Sequence, residues 1–303
     1  MSIVDVELFE CVDVIKKFWT FNNLGTMPVC ATATVNADRI LGASKSGPNN
    51  NVVHYYQENG AKNISFSRPI EAVFVNLYKI TSMDTSYDEK VAFVGGRAIL
   101  NAVQGSAIIM AVEFNEGLRE ISSCLLTDLD YGNPNRIQRV SGTNLLVVGC
   151  DRHYAILDFR GSLVQIARIP NVHNTPIVDF VMRGKFLYSK ALNDPVIKSV
   201  EFNAAPIINV LPANNNLPVP VRSSGSLPIT ELTKTLNNFS SSSTQKFEFP
   251  GMSDLHKIEV SGDGFRLFAG GKGLHRFDSS GGSLRPLEID TTKGKFWHLY
   301  LSS

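Results

Sequence analysis

Short apolar segments separated by turn-forming residues recur along most of the chain. They are rich in Val, Ile, Phe and Leu, and clear examples are Val29–Val35, Leu145–Gly149, Tyr154–Phe159 and Phe265–Ala269. Clusters of Gly, Asn, Ser and Asp follow them, as at Ser261–Gly264, and such residues favour chain reversal. Helical periodicity is scarce, whereas short apolar runs between turn signals are typical of strands. The pattern therefore predicts an all-β protein.

A longer unit also repeats, consisting of an apolar strand, a turn, a second strand that ends in a small residue, and a third strand. Its first-strand anchors lie 43, 68, 37, 81 and 39 residues apart, at Val29, Ala72, Val140, Ile177, Ile258 and Trp297. One blade of a β-propeller takes about 40–45 residues. The spacing of 81 predicts two blades, and the spacing of 68 predicts one blade with an insertion near Ile80–Asp88 and Leu118–Asn135.

The two ends of the chain both carry strand-like sequence. An apolar run around Trp297 stands at the C-terminus, and two such runs stand within residues 1–24. Closing a ring with strands from both termini protects edges that would otherwise be exposed. We therefore expect a single domain, residues 1–303, forming a propeller of seven blades, or alternatively six. Residues 1–24 and 295–303 would form the closing blade.

Residues 204–245 depart from the pattern. Five prolines, an Asn run at 214–216 and a Ser run at 240–243 interrupt this segment. Proline is confined to strand ends and edges, so the segment is interpreted as a degenerate blade with a flexible insertion.

The stretch from Val172 to Phe202 resembles a WD40 repeat. It has a histidine ahead of the first strand, an aspartate in that strand, a serine ending the second strand and an aspartate before the third; these are His173, Asp179, Ser189 and Asp194. Trp19 is similar to the tryptophan that closes such a repeat. The resemblance implies a WD40-like propeller in which these side chains are structural and form a buried hydrogen-bond network. Buried polar groups need such partners.

Net charge, apolar runs and cysteine spacing exclude some classes of function and indicate the cellular compartment. The net charge of +1 excludes binding to nucleic acid by bulk neutralisation of phosphates. No run of 18 apolar residues is present, and acids at Asp5, Glu7 and Glu10 are unlike a signal peptide. Four scattered cysteines are typical of a reducing compartment. We therefore expect an intracellular protein, cytoplasmic or nuclear.

The sequence contains none of the short motifs that we examined for metal binding or nucleophilic catalysis. The six histidines show no HxH or HExxH spacing, and no GxSxG is present. The sequence accordingly predicts no catalytic residues, no metal site, no cofactor and no small-molecule substrate.

A non-enzymatic scaffold that holds other proteins in a complex is the function this combination favours. Tyr and Arg are enriched at interface hot spots, and the loop residues of these types that we expect to be exposed are Tyr87, Tyr131, Arg136, Arg152 and Arg222. A phosphoinositide- or RNA-binding propeller is the alternative. Arg160 is a single arginine where phosphoinositide binders carry two, and a basic cluster spans residues 136–168, with acids interleaved.

Overall fold

The computed structural model describes residues 27–34, 39–45, 51–59, 63–66, 77–86, 88–100, 103–113, 118–126, 131–140, 144–183, 186–201, 244–248, 255, 257–261, 265–279 and 284–295. These residues form nineteen strands in five sheets, so the prediction of an all-β protein is confirmed. None of them lies in a helix that is long and apolar enough to cross a membrane.

The first two sheets are antiparallel meanders of four strands each, in which neighbours in sequence are neighbours in the sheet. The first sheet contains β1 Met27–Ala33, β2 Arg39–Lys45, β3 Asn51–Asn59 and β4 Asn63–Phe66. The second sheet contains β5 Leu77–Thr85, β6 Val91–Leu100, β7 Val103–Glu113 and β8 Arg119–Leu125.

The third and fourth sheets also keep the order of the sequence. The third contains β9 Pro134–Arg139, β10 Leu145–Cys150, β11 His153–Phe159 and β12 Leu163–Pro170. The fourth contains β13 Ile177–Arg183, β14 Phe186–Ala191, β15 Val196–Glu201 and β16 Thr244–Glu248. Every residue of β10 is buried, which explains why this strand is a continuous apolar run rather than an alternating one.

The fifth sheet has three strands within the described residues, in the order β17-β18-β19. They are β17 Lys257–Val260, β18 Arg266–Asp278 and β19 Arg285–Lys295. The thirteen residues of β18 pair with β17 through their first half and with β19 through their second half.

Packing divides the chain into two compact units. Unit 1 comprises residues 1–139 and 158–164, and unit 2 comprises residues 140–157 and 165–303. In unit 1 the edge strand β5 packs against the edge strands β1 and β9, and the core is built around Leu41, Val94 and Met110. In unit 2 the edge strand β13 packs against β17, and one core cluster surrounds Phe180 while another surrounds Leu267.

One detail of the predicted repeat is wrong, and another falls outside the described residues. The segments expected to hold an insertion are instead regular strands, since Ile80 lies in β5 and the segment from Leu118 runs into β8. The anchor Ala72 lies outside the described residues, and the first strand of the second sheet is described from Leu77. Polar residues interrupt the apolar sequence of β5 and β8, so a search for apolar runs missed both strands.

Other parts of the prediction fall largely outside the described residues. Of the segment 204–245, only Thr244 and Gln245 are described, and they belong to β16, which pairs with β15 as the fourth strand of its sheet. Of residues 1–24 and 295–303, which carry the predicted ring closure, only Lys295 is described, and it ends β19. The blade count, the closure and the single-domain description therefore stay predictions.

Candidate functional site

A connected group of polar side chains lies where the loop between β12 and β13 meets the turn between β14 and β15. The Nδ1 of His173 lies 2.6 Å from Oδ2 of Asp194, and its Nε2 lies 2.9 Å from the hydroxyl oxygen of Ser189. Asp194 also accepts a hydrogen bond from the backbone N–H of Val196 at 3.1 Å. We call His173, Ser189 and Asp194 the His173 cluster.

Two buried lysines tie the same loop and turn together. The ammonium of Lys190, which is fully buried, donates to the backbone carbonyls of Ala191 and Asp194. The ammonium of Lys198 donates to the carbonyl of Val172 at 2.5 Å. Carbonyl acceptors satisfy donors that burial removes from water, so each lysine fixes backbone next to the His173 cluster.

The protonation state of the His173 cluster follows from its partners. An ionised carboxylate only accepts hydrogen bonds, so Nδ1 of His173 carries a proton. Burial lowers the pKa of His173, and this effect outweighs the opposing attraction of Asp194. Burial acts against ionisation of Asp194, but hydrogen bonds from His173 and Val196 outweigh it and hold the pKa of Asp194 below its usual value. At pH 7 the imidazole is therefore neutral beside a carboxylate.

Serine, histidine and aspartate stand here in the hydrogen-bonding order of a serine hydrolase. Ser189 is fully buried, however, and the imidazole side chain of His173 has no exposed surface. A nucleophile must reach the carbon it attacks, and this hydroxyl is enclosed by protein. The geometry of the His173 cluster therefore supports a structural tie rather than a reaction centre.

Replacing His173 with alanine should destabilise the protein by about 1–3 kcal/mol at pH 7.5, since Ser189 and Asp194 each lose a buried partner. The wild-type protein should itself lose stability as the pH falls below about 6.5, because the unfolded histidine then binds a proton that the folded one does not. Asp194 adds a further loss at lower pH, as its depressed pKa is crossed.

Urea unfolding at pH 7.5 and at pH 5 checks this prediction. The variant His173→Gln, which cannot be protonated, should show a smaller fall in the free energy of unfolding between the two pH values. An equal fall in the variant and the wild type would contradict the assignment of a neutral, buried His173.

A second polar group lies in unit 1, between the neighbouring edge strands β5 and β9. Oδ2 of Asp84 accepts the backbone N–H of Arg139 at 3.0 Å and lies 3.5 Å from its Nε. Oδ1 accepts the backbone N–H of Thr85 at 2.8 Å. The side chains of Asp84 and Arg139 are 24% and 27% exposed, so both are partly accessible to solvent. We call Asp84 and Arg139 the Asp84–Arg139 pair.

Hydroxyl side chains near Asp84 in β5 form hydrogen bonds to the neighbouring strands β1 and β9. Thr85 shares a hydrogen bond with the hydroxyl of Thr32 in β1. Thr81 and Ser82 both donate to the carbonyl of Pro134 in β9, at 2.5 and 2.8 Å. The edge strands of unit 1 are thus joined through side chains, and the seam between them is polar.

Asp179 plays a comparable part in unit 2. Its fully buried carboxylate accepts the backbone N–H of Ile258 in β17 at 2.8 Å and lies 4.0 Å from Nζ of Lys257. The structure therefore places Asp179 at the seam between β13 and β17. In the hydrogen bonds that the structure shows, His173 contacts Ser189 and Asp194, not Asp179.

The residues predicted to bind a partner protein have different environments. Arg152 is exposed and Arg136 is half-buried. Tyr131 is fully buried, so the expectation that its side chain is exposed is wrong; it lies directly ahead of β9 and packs inward. Tyr87 and Arg222 lie outside the described residues. Trp19 and Trp297, predicted to be structural, also lie outside them.

The sequence analysis missed the Asp84–Arg139 pair. Asp84 falls in a segment that was interpreted as an insertion, and its partner lies 55 residues away along the chain. The sequence signal was weak, because the apolar residues Ile80 and Met83 lie three apart and a register shift between Ile80 and Ser82 interrupts the two-residue alternation of a half-buried strand. No group of three or more His, Cys, Asp or Glu side chains that could hold a metal ion occurs in the described part of the chain.

Comparison with solved structures shows the fold. The chain matches the periplasmic gluconolactonase of Pseudomonas aeruginosa with a TM-score of 0.56 and 11% identity, over 89% of this chain and 73% of that one. It matches a Bacteroides fragilis protein assigned as a 6-phosphogluconolactonase with a TM-score of 0.57 and 12% identity, over 84% and 68%. It also matches Sqt1 of Chaetomium thermophilum with a TM-score of 0.53 and 10% identity, over 88% and 62%.

The chain matches no protein-family model. No curated protein matches it in sequence. The structural similarities, at such low identity, show the fold alone, which is a β-propeller.

Several predictions of function are corrected by these comparisons. The assignment to the WD40 family is wrong, since no family model matches and the first structural neighbours carry gluconolactonase names. Those names denote enzymes with small-molecule substrates, and they contradict the non-enzymatic scaffold, the phosphoinositide- or RNA-binding alternative and the absence of a small-molecule substrate. The physical reason is that the strand pattern identifies a propeller but not its function. Binding proteins and enzymes can share the same strands and differ only in the residues of their loops and edges.

Proposed function

We propose that this chain is a hydrolase that opens a small cyclic ester, with a sugar lactone as its substrate. The observation that carries the proposal is structural similarity over more than four fifths of the chain to proteins named as a gluconolactonase and a 6-phosphogluconolactonase. Hydrolysis of a lactone needs a base for water and a donor for the carbonyl oxygen, and it needs no redox group.

The Asp84–Arg139 pair is the proposed centre. Its carboxylate is held by two backbone N–H groups, which fix its orientation, and it is partly exposed. A carboxylate has about four acceptor sites, so it can also accept a proton from water. The guanidinium of Arg139 lies beside this carboxylate, with Nε 3.5 Å from Oδ2 of Asp84, and a guanidinium stabilises an oxygen on which negative charge develops.

The proposed reaction proceeds in two steps. Asp84 takes a proton from a water molecule whose oxygen attacks the acyl carbon, and Arg139 donates to the oxygen on which negative charge develops. The bond between the acyl carbon and the ring oxygen then breaks, and the proton on Asp84 passes to that ring oxygen. The product is an open-chain hydroxy acid, and Asp84 returns to its ionised form.

Hydroxyls along β5 support a polyol substrate. Thr32 and Thr81 are half-buried and line the same seam, whereas Ser82 and Thr85 are buried and bond within it. A hydroxyl that already donates can still accept a hydrogen bond, so the half-buried hydroxyls suit a substrate that carries hydroxyls. Sugar lactones present several hydroxyls beside the reacting ester, whereas simple aliphatic lactones present none. We therefore expect a preference for the sugar lactone.

Replacing Asp84 with asparagine should reduce kcat/KM for lactone hydrolysis by about 10²–10⁴-fold, the usual contribution of a positioned base. Asparagine keeps an oxygen that can accept the backbone N–H of Arg139 but has no basicity. The measurement is acid release from gluconolactone and 6-phosphogluconolactone in a pH-stat, with spontaneous hydrolysis subtracted.

Glu113→Gln is the matched control, because Glu113 forms an exposed ion pair with Arg119 at 2.9 Å at the far edge of the same sheet. This variant should keep full activity. Thermal melting of both variants separates loss of chemistry from loss of fold. If the wild type accelerates hydrolysis of neither lactone the proposed function is wrong, and if Asp84→Asn is folded and fully active the proposed centre is wrong.

A further inference from the structure

Two cationic side chains stand directly opposite each other on the paired strands β5 and β6 of unit 1. Lys79 and Arg97 are Cα partners in the antiparallel register, so their side chains project from the same face of the sheet. Lys79 is exposed and Arg97 is half-buried. Like charges directly opposite each other destabilise a sheet, so this arrangement is unfavourable unless an anion lies beside it.

Both cationic groups end on the same short loop, which leads into β9. Nζ of Lys79 donates to Oδ1 of Asn133 at 3.2 Å, and Nη1 of Arg97 donates to the carbonyl of Gly132 at 2.8 Å. Because these two acceptors belong to consecutive residues, the two positive charges converge at one place. Both acceptors are neutral, so neither hydrogen bond cancels a charge.

The loop that accepts these hydrogen bonds is anchored at both ends. Tyr131 is fully buried, and the carbonyl of Pro134 accepts hydrogen bonds from the hydroxyls of Thr81 and Ser82 at 2.5 and 2.8 Å. Gly132 lies between these anchors with a φ of 74°, a left-handed conformation that glycine adopts without strain. The fixed loop holds both cationic groups in place, which reduces the conformational entropy they lose when they bind a ligand.

Among the described residues, no carboxylate neutralises the two cations. The row of Cα partners continues from Arg97 to Ala107 in β7, so the next side chain across the sheet is apolar. Neither Lys79 nor Arg97 forms an ion pair in the described part of the chain. Arg119 of the same sheet differs in this respect, because it is paired with Glu113 at 2.9 Å. The positive charge of Lys79 and Arg97 is therefore available to a ligand.

We propose that Lys79 and Arg97 form a binding site for a phosphate group. A phosphate monoester carries about 1.5 to 2 negative charges at pH 7, which matches two cations, whereas a carboxylate carries only one. The guanidinium offers a fork of donors to two phosphate oxygens, and the ammonium binds a third oxygen as a point charge. Each group keeps donors beyond the one that bonds to the loop. The ligand is either the free ion or the monoester group of a small molecule, and this proposal does not depend on the proposed hydrolase.

Titration of the full chain with inorganic phosphate, followed by calorimetry, tests the site. Ionic strength is held constant with chloride, because screening alone changes such affinities. We expect saturable binding that Lys79→Gln weakens by about fivefold and Arg97→Gln by about tenfold, since hydrogen bonds between charged groups are the strong ones. Arg97→Lys keeps the charge but loses the fork, so its affinity should lie between those of Arg97→Gln and the wild type.

Thermal melting gives a second readout, which a merely structural role of these residues would not produce. Without phosphate, Lys79→Gln should melt no lower than the wild type, because it removes a contact between like charges. Saturating phosphate should raise the melting temperature of the wild type, since a ligand that binds only the folded state stabilises it. The same phosphate concentration should raise the melting temperature of Lys79→Gln less.

Lys90→Gln is the matched control, because Lys90 is an exposed lysine of the same sheet that lies directly ahead of β6, whereas Arg97 lies in the second half of that strand. This variant makes the same change of charge and should bind phosphate as the wild type does. Competition with 6-phosphogluconate and gluconate distinguishes the two sources of phosphate. Competition by 6-phosphogluconate alone assigns the site to monoesters, and competition by neither compound assigns it to the free ion.

Three results would overturn the proposal. They are the absence of saturable phosphate binding by the wild type, unchanged affinity in folded Lys79→Gln and Arg97→Gln variants, and equal competition by gluconate and 6-phosphogluconate. The outcome is separable from that of the hydrolase. Asp84→Asn should retain phosphate binding, because Asp84 lies near the other end of β5. Phosphate binding by a chain that hydrolyses neither lactone would leave the phosphate site standing while removing the proposed function.

Discussion

Replacing Phe180 with alanine is expected to lower the free energy of unfolding by about 3–5 kcal/mol, the range for removing a buried aromatic side chain. The ring is fully buried and meets Tyr154 edge to face, with centroids 5.6 Å apart and an interplanar angle of 80°. It also covers Gly149, where an added Cβ would lie 2.5 Å from the ring. Truncation to alanine therefore removes the contact with Tyr154 and opens a cavity next to Gly149. Glycine has no side chain that could fill this cavity.

Urea unfolding followed by intrinsic fluorescence measures this effect. Phe265→Ala is the control, because Phe265 belongs to the same unit but is 56% exposed, and its removal should change stability by no more than about 0.5 kcal/mol. Similar losses in the two variants would contradict the assignment of Phe180 to the core.

Replacing Gly96 with alanine is expected to cost about 3 kcal/mol, at the upper end of the range for overpacking. A Cβ at this position would lie 2.2 Å from the carbonyl oxygen of Lys79 in the paired strand β5 and 3.0 Å from a methyl group of Leu77. The oxygen belongs to the backbone, so relief requires β5 itself to move. Because β5 carries Asp84, the proposed lactone hydrolysis should fall together with stability.

Gly161→Ala provides a contrast for this prediction. Gly161 has a φ of 93° with nothing within 4 Å of an added Cβ, so alanine there meets backbone strain but no clash. Such strain costs about 1–2 kcal/mol, and Gly161→Asn should recover part of it because asparagine tolerates positive φ. Thermal melting of the four variants Gly96→Ala, Gly96→Asn, Gly161→Ala and Gly161→Asn checks the difference. Recovery by asparagine at Gly96 would show that backbone conformation, not space, requires that glycine.

The sequence predicts strands well where the strand is apolar on both faces. The runs Leu145–Gly149 and Tyr154–Phe159 coincide with β10 and β11, because continuous burial leaves a continuous apolar pattern. It predicts strands poorly where one face is polar. β5 and β8 mix Thr, Ser, Glu and Asp with apolar residues, and the apolar-run criterion therefore assigned both to an insertion.

Contacts between sheets are harder to predict than the strands themselves. The residues of the His173 cluster were recognisable because all of them belong to one repeat. Asp84 accepts a hydrogen bond from the backbone N–H of Arg139, and Asp179 accepts one from the backbone N–H of Ile258. These bonds join different repeats, since the paired residues are 55 and 79 positions apart along the chain. Nothing in a single strand's pattern indicates which backbone N–H of another sheet its carboxylate will meet, and the proposed reaction centre depends on such a contact.

The seams between edge strands bear on how the protein avoids aggregation. A strand at the edge of a sheet offers backbone N–H groups that can recruit a strand from another molecule. The carboxylates of Asp84 and Asp179 accept hydrogen bonds from two such groups, the backbone N–H of Arg139 and that of Ile258, each in the neighbouring sheet. Each carboxylate stands where the carbonyl of an intruding strand would bind, and its charge further disfavours an approaching carbonyl oxygen. The same bonds that join successive sheets thus keep their edges closed to other copies of the chain.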